Sequence, residues 1–263
     1  MDGPGPPYGG QVPDRASVVR RARIEPLRSR PVGVPAPNFS GMTNTMTPPV
    51  TTSVHRLLGY AAGGSLIAGA AAFFAGLATS PVQNGDSKIA YLESLARDPF
   101  QTQLSALFLH YGNLLMGVGL LAVPLLVRGR RGSVVTLVGA LFAALGLIQN
   151  SGALLSDWFH MEIGRGAPPE MGAAISDRVL AHPAVTLAFN PGPLIAIALL
   201  VTFAGLARAG VLGWWTLPAI VAGYAGLLML PYDVPILPAL GTVPMLAVLG
   251  AAGARVISRA RLT

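Results

Sequence analysis

From Leu57 onward the chain alternates between long apolar runs and short polar connections. The runs cover residues 57–78, 104–127, 134–155, 184–207, 211–230 and 236–256. Each is close to the roughly 20 residues that a helix, rising about 1.5 Å per residue, needs to cross a hydrocarbon core. None contains Asp, Glu or Lys, and the one arginine, Arg255, stands near a terminus. One such run could be the buried helix of a soluble domain. Six in one chain predict an all-α integral membrane bundle of six transmembrane helices over residues 54–257, with a short basic tail at 258–263.

The connections carry their own periodicity. Ser87 to Arg97 (SKIAYLESLAR) places Ile89, Leu92 and Leu95 near one helical face, and Pro169 to Ala181 (PEMGAAISDRVLA) does the same with Met171, Ile175 and Val179. Pro169 suits a first helical turn and Glu170 the positive end of a helix. Two short amphipathic helices are predicted, lying on the outer membrane face. Residues 1–53 differ from everything after them: Pro, Gly, Ser and Thr dominate, six arginines are scattered through them, and no apolar period is sustained. Such a segment cannot offset its ordering entropy and is expected to be a disordered basic tail. It has no h-region of a signal peptide, and Met42 or Met46 would also serve as a start of translation.

Composition and charge sharpen this picture. The chain of 263 residues is 52% hydrophobic and 11% charged, against about 25% charged in soluble domains. With no cysteine, disulfides, thiolate metal sites and cysteine nucleophiles are excluded. The net charge of +7 is unevenly placed. If the six runs alternate in direction, one side collects 14 basic and 3 acidic residues and the other 4 basic and 8 acidic. By the positive-inside rule the basic side, with both termini, is cytosolic. The basic character is then a matter of topology and anionic lipid headgroups rather than nucleic acid. Only one of the 18 basic residues is lysine; with abundant Ala, Gly and Pro, that bias points to a GC-rich bacterium and its plasma membrane.

Polar residues at membrane depth must find partners there and so mark candidate sites. On this topology they gather at the outer end: His110 and Asn113 in the second run, Asn150 in the third, Asp157 and His160 just past it, and Asn190 in the fourth. These six are expected to line one outward-facing pocket for a small-molecule ligand. His110, Asp157 and His160 include zinc-ligand types, but hydrogen bonding between helices is the simpler use of such residues, and no metal site is assigned. Haem would need a second histidine at the depth of His110, and His160 and His182 lie outside the runs. No P-loop, dinucleotide fingerprint, zincin motif or nucleophile elbow occurs, and no cofactor is expected. Asn190-Pro191-Gly192-Pro193 reads as the start of a helix near Pro193, Gly59-x-x-x-Gly63 as a close helix contact, and Trp214 and Trp215 as interfacial residues. Two functional classes remain: a non-enzymatic carrier or membrane-complex subunit, and an intramembrane, metal-assisted enzyme acting on a membrane substrate.

Overall fold

The structure, a computed structural model, describes residues 51–183, 185 and 192–262. The tail of residues 1–50 and the site residue Asn190 fall outside them. Every regular element described is helical: α1 (Thr51–Ala78), α2 (Lys88–Arg97), α3 (Pro99–Leu120) with a 3-10 turn after it (Val123–Leu126), α4 (Ser133–Leu154), α5 (Ser156–Gly166), α6 (Pro169–Leu180), α7 (Gly192–Arg208), α8 (Thr216–Met229) and α9 (Ile236–Ala260). Local chemistry sets several boundaries. The Ser87 hydroxyl accepts the Ala90 N–H and opens α2, while the Asp98 carboxylate accepts the Gln101 N–H and opens α3 with Pro99 in its first turn. Both are side-chain caps for otherwise unpaired helix N–H groups.

Among the described residues, four helical stretches are long and apolar enough to cross a membrane: α1, α3 with its 3-10 turn, α4, which runs on into the polar α5, and α9. The other two apolar helices are shorter, 17 residues in α7 and 14 in α8. At about 1.5 Å per residue these reach roughly 26 and 21 Å, short of a hydrocarbon core of about 30 Å. α7 is described only from Gly192. In the fifth apolar run the chain turns through residues 211–215 before α8 begins, and Pro231 follows Leu230, whose extended backbone ends it. A residue before proline is biased to that conformation.

Glycines show how the helices run past each other. A Cβ at Gly59 would stand 2.6 Å from the Cβ of Ala260, and one at Gly63 2.6 Å from the Gly253 carbonyl, so α1 and α9 are antiparallel and nearly touch. The pairs Gly69 with Met116 and Gly76 with Leu109 make α1 and α3 antiparallel; Gly139 with Thr202 and Gly205 with Thr136 do so for α4 and α7, and Gly226 with Gly241 and Gly223 with Met245 for α8 and α9. Phe203, Leu66, Leu199, Leu206 and Leu249 fill the centre. On the outside α4 exposes Val134, Leu137, Val138, Leu141, Phe142 and Leu145, a contiguous apolar face of the kind that soluble monomers rarely leave to water. The alternation also sorts charge. Among the described residues Arg56, Arg128, Arg130, Arg131, Arg208, Arg255, Arg259 and Arg261 lie toward one end, and every Asp and Glu lies toward the other.

Both short amphipathic helices form. In α2 the predicted face holds, with Leu92 and Leu95 buried. In α6 Met171 and Val179 are exposed on one face, and the residues buried against the protein are Gly172 and Ser176. The small side chains allow the close approach instead, a Cβ at Gly172 lying 3.1 Å from Ile163 and 3.4 Å from Leu92.

Candidate functional site

At the acidic end α2, α5 and α6 pack together over the bundle. α5 continues the line of α4 beyond its apolar stretch, and its sequence SDWFHMEIGRG is as polar as α4 is apolar. Asp157 and His160 sit one turn apart on it. Tyr91, on α2, donates its phenolic O–H to the Asp157 carboxylate. The His160 Nε2 lies 3.1 Å from the Ser176 hydroxyl on α6, and the rings of Tyr91 and His160 meet edge to face at 5.7 Å. Lys88 stands 5.9 Å from the centre of the Tyr91 ring. Three helices are thus tied by one cluster of ionisable side chains.

Burial dominates the electrostatics of this cluster. Asp157 keeps some surface as a residue, but its carboxyl lies deep enough for burial to push its pKa up to about 6, against the downward pull of the Tyr91 hydrogen bond. The Tyr91 phenol is raised well above its ordinary value, by burial first and then by the Asp157 charge and hydrogen bond. Burial pushes the His160 imidazole down, the Lys88 ammonium adds to this, and the Ser156 backbone opposes both. The His160 Nδ1 is buried and makes no well-formed hydrogen bond among the described residues; its polar interaction is with the Ser156 backbone one turn earlier.

A second polar group lies between α3 and α4. The Nδ1 of His110 is 2.8 Å from the Ser151 carbonyl; a carbonyl only accepts, so the ring carries a proton at Nδ1. Asn150 donates to the Asn113 side-chain oxygen at 3.2 Å, and Asn113, 1% exposed, donates to the Leu109 carbonyl at 2.8 Å. Close by, Ser80 and Ser105 share a hydrogen bond of 3.0 Å between α3 and the end of α1.

Of the six residues expected to share a pocket, the structure joins His110, Asn113 and Asn150 at the α3–α4 contact, and Asp157 and His160 to α2 and α6. Their hydrogen bonds fall into these two groups, and Asn190 lies outside the described residues. Tyr91 and Ser176 were not anticipated from sequence. Tyr91 precedes Leu95 by four residues, at the edge of the apolar face of α2, and Gly172 and Ser176 form a small-residue pair four apart, but neither spacing by itself shows that the three helices meet. Among the described residues no three His, Asp or Glu side chains converge as a metal ligand set. Compared with protein-family models, with curated proteins and with solved structures, the chain matches none.

Proposed function

We propose that this is a six-span, non-catalytic membrane protein of a bacterial plasma membrane, with both termini in the cytosol. In this reading it serves as a small carrier or as a subunit of a membrane complex, and its outer polar cap receives a small polar ligand. The observation that carries the reading is the cluster Tyr91, Asp157, His160 and Ser176. It gathers a shielded carboxyl, a phenol and an imidazole where three short helices close over one end of an apolar bundle. Polar groups placed at membrane depth or beside it, and bonded to one another, are the usual mark of a ligand path in such proteins. α7 and α8 would complete the six spans, their short helices extended by flanking apolar chain and by local thinning of the bilayer.

The absence of cysteine makes a direct test simple. A single cysteine at Asp177, exposed on α6 beside the buried Ser176, should react with a membrane-impermeant maleimide in cells kept intact. Reaction only after the cells are permeabilised would place the cluster on the cytosolic face and end its reading as an outward-facing site.

A further inference from the structure

At the opposite, basic end a groove of about 550 Å³ opens between α1, the end of α3 with its 3-10 turn, and α9. Its size is within the roughly 300–1,000 Å³ of sites that hold drug-sized ligands. Leu58, Leu121 and Leu125 supply apolar walls, and His55 and Arg259 line the same groove. The space has a cause in the sequence. Small residues on α1, Ala61 among them, take up little room, and α3 gives way to the 3-10 turn after Leu120. His55 stands one turn before Gly59, which touches Ala260 beside Arg259, so the imidazole and the guanidinium belong to one rim.

Among the described residues nothing acidic offsets the charge around this rim. No described Asp or Glu lies at this end of the bundle, while Arg56, Arg255 and Arg261 are exposed near the groove. A basic residue in the last turn of a helix also offsets the helix dipole. Arg255 and Arg261 could do that equally from outside the groove, so the dipole does not account for a guanidinium within an apolar cleft. A guanidinium forms paired, charge-assisted hydrogen bonds with a phosphate, and apolar walls open to the surroundings suit a hydrocarbon chain. We propose that the groove is a binding site for one anionic phospholipid, with an acyl chain against Leu58, Leu121 and Leu125 and the phosphate held by Arg259 and His55. This rests on the chain being embedded in a membrane, and not on which end faces the cytosol.

The test is native mass spectrometry of the full-length protein in detergent, titrated with dioleoylphosphatidylglycerol or dioleoylphosphatidylcholine, with thermal unfolding recorded on the same samples. The anionic lipid should be retained at roughly tenfold lower concentration. Arg259→Gln should bring it to the level of the zwitterionic lipid, Arg259→Lys should keep part of the preference, and Ala61→Phe should lower retention of both by filling the groove. Should Arg259→Gln fail to fold, the Lys and Ala61→Phe variants carry the same comparison. Glycerol 1-phosphate, a headgroup without tails, should not displace the lipid at concentrations that saturate the site. Equal retention of the two lipids would overturn the proposal, as would a preference unchanged in Arg259→Gln or a retention unchanged in Ala61→Phe. Retention of neither would also overturn it. A reversed membrane orientation found by labelling would leave the lipid result standing and refute only the topology.

Discussion

Asp157 links the chemistry of the polar cap to a measurable pH dependence. Its folded pKa of about 6 exceeds the ordinary 3.8 because burial disfavours the charged form. Below the ordinary value it is protonated whether the protein is folded or not, and its contribution to stability is fully present. As pH rises from about 4 to 6 the unfolded chain releases the proton first, so stability falls. The loss, complete above about 6, is at most about 3 kcal/mol. Thermal unfolding in detergent should therefore show a decline between pH 4 and 7 that Asp157→Asn removes. Tyr91→Phe deletes the bond that lowers this pKa and should move the midpoint upward. The same profile for wild type and Asp157→Asn would contradict the assignment. Asp157 and His160 were legible in the sequence because charged residues beside an apolar run stand out. Tyr91 and Ser176 were not, because their role depends on three helices meeting, and no local spacing encodes that meeting.

Between elements, the contact of α1 with α9 shows what close packing demands of single positions. A Cβ added at Gly63 would lie 2.6 Å from both the Gly253 carbonyl oxygen and the Ile257 side chain, whereas one at Gly64, on the next face, would meet nothing within 4 Å. Gly63→Ala should lower thermal stability by about 1–3 kcal/mol, since backbone must move to admit the methyl group. Gly64→Ala should be neutral or slightly stabilising, because alanine favours a helix by up to about 1 kcal/mol over glycine. Equal effects in thermal unfolding would mean the helices do not approach as described. The Gly-x-x-x-Gly spacing announced a close contact but not its partner, which only the tertiary arrangement supplies. In α6 the apolar period and the protein-facing side are different faces. Met171, Ile175 and Val179 form a regular face, yet Gly172 and Ser176 turn inward because little side chain there lets α6 reach Leu92 and Ile163. Periodicity reports where apolar groups are, and does not report which side can come closest.

For the molecule as a whole, the apolar runs and the charge bias were legible early because the bilayer's thickness and the positive-inside rule act on sequence directly. The extents of α7 and α8 were less so. Hydropathy registers apolar residues whether or not they are helical, and the turn at residues 211–215 is as apolar as the helix it precedes. The central claim is that six spans carry the basic end into the cytosol and the polar cap outside. Single cysteines at four exposed positions, labelled with an impermeant maleimide in intact and in permeabilised cells, test it most directly. Asp86→Cys and Glu170→Cys should react in intact cells, and Arg130→Cys and Arg208→Cys only after permeabilisation. Reaction of Asp86→Cys from outside with Glu170→Cys protected until permeabilisation would contradict the account, because an odd number of crossings would then separate them.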